Sequence, residues 1–288
     1  MECRPASSLP AAQIAQLFNS SFTGYIAGDV NFTAETFTAW AETNLVNLPR
    51  SYVFFDPSIS ADGPIAFGLI ALREDQPRLS RLGTMGVAPI AQGKGVGTRA
   101  LAMIVERERE AGQEELELEC IQTNTRALAM YRRIGFKEMR ELPGWEHEAV
   151  PAGSDEFRDD PALEEVTVAE VDALVKKHGA ADMPWQVYFM SRLSIAQRAF
   201  RLGHAWCVTT DPEDKEKNEI KIASLIVEPE WRGQGEATRL ARAMMGRFRG
   251  KKWCAPGVIP AEYGDGLAKK VGAVRPKIGQ FQMRLKLK

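Results

Sequence analysis

Histidine and cysteine are scarce: 3 of the first and 4 of the second in 288 residues. Cys3, Cys120, Cys207 and Cys254 stand apart without paired spacing, which argues against a zinc site and against a disulfide scaffold. A charge of one sign is also missing. Lys and Arg number 37 against 38 Asp and Glu, a formal net charge of −1, so no global field draws nucleic acid or an anionic membrane. No apolar run approaches the about 18 residues of a spanning helix. The first residues include Glu2 and Arg4 rather than the apolar core of a secretory signal. The expectation is a soluble cytoplasmic protein with neither a nucleic-acid nor a membrane partner.

What is present is ample globular material. A 44% hydrophobic and 26% charged chain of this length suffices for two domains with separate cores. One stretch organises the first: Gln92, Gly93, Lys94, Gly95, Val96, Gly97. The apolar run 79–87 before it reads as a strand. After it, Leu101, Ile104 and Val105 recur at helical spacing, so a helix opens near Thr98. Glycines at that junction let backbone approach a ligand, and the free N–H groups of a first helical turn suit phosphate. The order is neither a Walker A loop nor a dinucleotide turn.

The same pattern returns 140 residues later, with Val227 for Val87, Arg232 for Gln92, then Gly233, Gln234, Gly235, Glu236 and Ala237; six of the thirteen positions from 87 to 99 are identical at that offset. So long a period means duplicated domains rather than a solenoid. Around each loop the reading is alike: helices, strands, glycine loop, helix, strand, short helix, strand. Helices are expected at 10–18, 33–45 and 125–134, and strands at 51–55, 65–72, 116–121 and 136–142. In the second half 166–176 begins the second unit, 185–193 is apolar enough for helix or strand, and strands follow at 205–209, 220–227 and 252–258. A short helix at 267–271 and an alternating strand at 280–287 close the chain. The Pro-, Gly- and Asp-rich stretch 149–161 reads as a linker between domains 1–148 and 162–288. The fold class is α/β: two tandem domains, each a mixed, mostly antiparallel sheet flanked by helices.

These motifs resemble the GCN5-related N-acetyltransferase superfamily in its tandem two-domain form. Its Q/R-x-x-G-x-G/A motif falls on Gln92, Gly95 and Gly97, and again on Arg232, Gly235 and Ala237. Its Asn-x-x-Ala-x-x-x-Tyr-x-x-x-Gly-Phe run falls on Asn124, Ala127, Tyr131, Gly135 and Phe136, with 39 residues from Gln92 to Tyr131. The resemblance implies acetyl-CoA as cofactor, its pyrophosphate on the backbone of Gln92, Gly93, Lys94, Gly95, Val96, Gly97 and Thr98. Asn124, Ala127 and Tyr131 would line the same site, and an N–H near Met85 or Val87 would meet the thioester carbonyl. Val227 and 232–237 would form a second cofactor site. There Ala268 stands where the first domain has Tyr131, so the second domain reads as degenerate.

Moving an acetyl group from a thioester to a primary amine needs orientation, a base for the amine proton and an acid for the departing sulfur. Tyr131 is the candidate acid and Glu119 the candidate base, directly or through water; the alternatives are a packing tyrosine whose hydroxyl meets solvent and a solvent-facing or salt-bridged carboxylate. Cys120 has no histidine to activate it and reads as a buried thiol. Phe22, Tyr25 and Trp40 either line a substrate groove or pack helices onto the sheet. Lys94, Arg99, Arg132 and Arg133 either reach CoA phosphates or cover a solvated surface. The acceptor reads as a small-molecule amine, with a protein lysine as the other class, on a monomer or homodimer. A non-catalytic acyl-CoA-binding or substrate-sequestering protein is the competing function.

Overall fold

The computed structural model describes residues 1–61, 63–151, 153–179, 182–190 and 197–288, with 188–190 for their backbone alone. It divides into two compact units, Met1–Met139 with Phe281–Lys288, and Arg140–Gln280. In the first, β1 (Glu2–Pro5), α1 (Ala11–Ser21), α2 (Ala34–Thr43), β2 (Tyr52–Phe55), β3 (Ala66–Leu72) and β4 (Leu79–Val87) lead to α3 (Val96–Glu110). Then come β5 (Glu115–Ile121), α4 (Thr125–Ile134) and β6 (Lys137–Leu142). α3 opens two residues before Thr98 because Gly95, in the left-handed region, already caps it. α2 starts where Thr33 and Thr36 form a reciprocal cap, and α4 where Asn124 accepts from the Ala127 N–H.

The rest comprises β7 (Trp145–His147), β8 (Glu164–Val166), α5 (Val168–His178), α6 (Trp185–Met190), β9 (Gln197–Leu202), β10 (Ala205–Thr210) and β11 (Glu219–Val227). α7 (Glu236–Arg247), β12 (Lys252–Ala255), α8 (Ala261–Val271) and β13 (Gln280–Lys286) follow. The apolar segment expected at 185–193 is helix as far as Met190; its last three residues lie outside the described residues. Among the described residues no helix is long and apolar enough to cross a membrane.

Two sheets result, ordered β1-β2-β3-β4-β5-β13-β6 and β7-β12-β11-β10-β9-β8. A plain division at 149–161 assigns β13 to the second domain, whereas it lies in the first sheet between β5 and β6. Its alternation buries Met283, Leu285 and Leu287 with Leu116, Leu118 and Cys120 of β5. β7 makes the reverse exchange and pairs with β12 of the second sheet. The stretch 149–161 is a strap on the second unit. Val150 and Phe157 enter that unit's core, and Arg239, Arg242 and Arg247 bind Asp160, Glu156 and Asp159. Gly246 lies under the strap, where a Cβ would stand 2.4 Å from the backbone carbon of Arg158.

The duplication recurs in the strand pairing. β4 and β11 each hold one bulge, at Gly83 and Ala223, where Leu69–Ile70 oppose Thr84 and Leu82, and Val208–Thr209 oppose Ser224 and Ile222. Each pairs in parallel with its next neighbour over three residues only: Leu79–Arg81 with Glu115–Glu117, and Glu219–Lys221 with Lys252–Cys254. Past its bulge each strand leaves that neighbour, so each sheet forks ahead of its glycine loop.

Candidate active site

In the first fork, Ala88 donates to the Ile65 carbonyl at 2.9 Å across β3 and β4. Antiparallel alternation then turns the N–H groups of Met85 and Val87 away from β3, toward the side β5 has vacated. The Val87 carbonyl on that side accepts from Gln92 Nε2 at 3.1 Å, which ties the glycine loop to the strand end. Gly93 and Gly95 have φ of 76° and 74°, and a Cβ on either would meet nothing within 4 Å. They are required by torsion, not by space. Gln92, Gly93, Lys94 and Gly95 are exposed, Val96 is buried, and Thr98 lies half-buried on the first turn of α3. No side chain caps that turn, so its N–H groups are open to an anion. Gly97 faces α4, where a Cβ would touch Met130 Sδ and Val87 at 3.5 Å.

α4 carries Tyr131 on the other side. Its ring meets Phe136 edge-on at 5.7 Å. Burial pushes its hydroxyl pKa up, and Cys120 and Tyr25 push it further, so the phenol holds its proton at neutral pH. Tyr25 is brought to the same place: burial raises its pKa, opposed by the Asn124 side chain, and Cys120 raises it again. Burial also lifts the Cys120 thiol to about 12, which leaves too little thiolate for nucleophilic attack. Phe22 meets Tyr25 edge-on at 4.9 Å, while Trp40 packs among Phe18, Phe32 and Phe37. Of the three aromatic candidates, Tyr25 is the one beside α4. Arg132 is engaged with Glu138, and Arg99 lies 3.5 Å from Asp56.

Glu119 lies two residues beyond the last β5 residue paired to β4, with its side chain 2% exposed. Arg81 grips one oxygen, Oε2, at 2.8 Å through Nε and at 2.6 Å through a terminal nitrogen. Oε1 is buried without a hydrogen-bond partner. Burial raises the carboxyl pKa; Arg81 opposes it and Glu117 adds to it. Glu117 is held by Arg284 of β13 at 2.6 Å. Arg81 and Arg284 escaped the sequence reading. The signal for Arg81 was a charge inside an apolar strand two residues before a glycine, the mark of a bulge.

The second loop keeps the backbone and changes the chemistry. Gly233 and Gly235 have φ of 78° and 90°, and Arg232 Nε donates to the Val227 carbonyl at 3.0 Å, as Gln92 does to Val87. Arg232 also reaches the His178 carbonyl at 2.7 Å, and Gln234 that of Glu230 at 2.8 Å. Where the first loop has buried Val96, the second has Glu236, whose carboxylate accepts the His204 N–H at 3.0 Å. Glu228, in place of Ala88, lies 3.1 Å from His204 Nδ1, and the His204 ring stacks on Trp231 at 3.9 Å. Two carboxylates thus stand at this helix start, next to Ala237. Ala268 is buried where the first unit has Tyr131; Tyr263 is 49% exposed and bonds Asp182 at 3.1 Å.

The acetyltransferase (GNAT) family model matches residues 11–136. No curated protein sequence matches the chain. Among solved structures, a GCN5-related N-acetyltransferase from Sphaerobacter thermophilus is 15% identical with a TM-score of 0.64, over 100% of this chain and 96% of its own. Another from Anabaena variabilis is 14% identical with a TM-score of 0.65, over 100% and 73%. Eis1 from Mycobacterium abscessus is 13% identical with a TM-score of 0.60, over 100% and 74%. These likenesses extend the fold to the whole chain, and residues 11–136 match the sequence pattern of the acetyltransferase (GNAT) family.

Proposed function

We propose that the first unit transfers an acetyl group from acetyl-CoA to a primary amine by direct attack. The observation that carries this is the fork itself. It sets two strand N–H groups without a sheet partner ahead of an uncapped helix start with two left-handed glycines, while a phenol that holds its proton stands on α4 and a buried carboxylate on β5. This set fits acetyl-CoA, which supplies an acyl group already activated as a thioester. The N–H groups from Gly93 to Thr98 hold its pyrophosphate, and the N–H of Met85 or Val87 polarises the carbonyl.

Glu119 Oε1 accepts the proton that leaves the amine as the N–C bond forms. Tyr131 gives its hydroxyl proton to the sulfur as the C–S bond breaks, and Tyr25 lines the acceptor's approach beside Asn124. Acid and base are separate groups: burial raises the pKa of both, and Arg81 opposes the rise at Glu119 while, among the described residues, no cation does so at Tyr131. The thiol of Cys120, protonated in its core setting, takes no covalent part. A small-molecule amine is the acceptor class of this reading; a protein lysine is the class to test against it.

The experiment is steady-state turnover with acetyl-CoA over a panel of primary amines and a lysine peptide, followed as free thiol. Turnover with at least one amine, lost in Tyr131→Phe with acetyl-CoA binding retained, supports the reading. Binding of acetyl-CoA without turnover on any amine would favour a non-catalytic acyl-CoA-binding protein.

A further inference from the structure

Arg81 sits in β4 between Ser80 and Leu82, both buried, and its own side chain is 4% exposed. A guanidinium in that setting is costly unless fully paired. Its position is specific. Arg81 is the last residue of β4 that pairs with β5, and Glu119 lies just past the last β5 partner, Glu117. The ion pair therefore spans the fork at its apex. Gly83 leaves the guanidinium room: a Cβ there would stand 3.0 Å from a terminal nitrogen of Arg81. The bulge residue so has two tasks, turning β4 away from β5 and leaving room for the guanidinium.

Both short contacts of Arg81 fall on Oε2, and Oε1 stays buried and without a partner. A free carboxylate rotates about its terminal bond; this one is held through one oxygen, with the other left unpaired. Resting on the reading of Glu119 as base, we propose that Arg81 is a positioning residue that aims Glu119 Oε1 into the fork, and that Gly83 is the small residue this arrangement demands. Among the described residues, the other charged groups that bear on Glu119 are Glu117 of the same strand and, through Glu117, Arg284 of β13. Arg284 also holds Glu115 at 3.1 Å, which leaves Arg81 as the cation facing Glu119 directly.

The sign of the pH effect follows. Glu119 must be ionised to accept a proton, so the acidic limb of kcat/KM that remains after correction for the acceptor amine's own ionisation reports its titration. Arg81 favours the ionised form against burial. Its removal moves the limb to higher pH, by about one to three pH units for a close opposite charge.

The test uses the full chain and measures kcat/KM for the amine against pH in Arg81→Gln, Arg81→Lys, Gly83→Ala and Glu119→Gln. Expected are an upward-shifted limb in Arg81→Gln and a limb abolished in Glu119→Gln. Arg81→Lys and Gly83→Ala, which keep the charge and disturb its aim, should lower kcat about tenfold or more with the KM for acetyl-CoA little changed. The double variant Arg81→Gln/Glu119→Gln removes both buried charges together and checks folding by its melting curve. If Arg81→Gln fails to fold, the two charge-keeping variants decide: unchanged kcat in both overturns the proposal. A limb abolished by Glu119→Gln yet unmoved by Arg81→Gln overturns the role of Arg81 and leaves the base in place. A limb that survives Glu119→Gln overturns the parent reading instead.

Discussion

Tyr131 and Gly95 show how far single residues could be read. Each belongs to a motif whose spacing is local, one along α4 and one along a loop, so the sequence carries their geometry directly. Arg81 and Glu119 form a pair across two strands, and no local period encodes that. Two predictions belong here. Tyr131→Phe keeps the ring contact with Phe136 and removes the acid; kcat should fall about 100-fold or more while a calorimetric titration still shows acetyl-CoA bound. Gly95→Ala forces a Cβ onto a φ of 74°, costing about 1–2 kcal/mol, with a lower melting temperature and weaker acetyl-CoA binding. A third concerns Cys120. With its pKa near 12, the folded protein's thiol should react slowly with alkylating reagents at pH 8, and mass spectrometry after acetyl-CoA turnover should find no acetyl group on it. A stable acetyl-cysteine would contradict direct attack.

Elements were legible in kind and less so in destination. The alternation of 280–287 marked a strand, and β13 is one; which sheet receives it depends on partners more than 130 residues away in sequence, which alternation does not specify. The strap at 149–161 shows the converse. Its polar composition suggested a linker, yet Val150 and Phe157 within it are the residues that matter, and four arginines from 239 to 249 bind its carbonyls and carboxylates. Composition averages over the two apolar anchors. The exchange of β13 makes a firm prediction: residues 1–148 expressed alone lack the strand that buries Met283, Leu285 and Leu287 against β5. That fragment should be expanded or aggregated by size-exclusion chromatography and circular dichroism, and adding 280–288 as a peptide should restore structure. A well-folded 1–148 would contradict the exchange.

For the molecule as a whole, the duplication preserved backbone and diverged in chemistry. Bulge, three-residue parallel pairing and paired left-handed glycines all recur. The second copy then sets Glu236 and Glu228 beside its helix start and Ala268 in the acid's place. A carboxylate already at a helix N-terminus is favoured by the helix dipole and opposes a second anion there. The repeat was visible at once in the sequence; the effect of Glu236 was not, because it depends on a turn, at His204, that the loop does not contain. The measurement that bears most directly on the account is a calorimetric titration of acetyl-CoA into the intact chain and into Gly95→Ala and Gly235→Ala. One site per chain, weakened by Gly95→Ala and untouched by Gly235→Ala, is the predicted result. Two sites, or a single site weakened by Gly235→Ala alone, would contradict it.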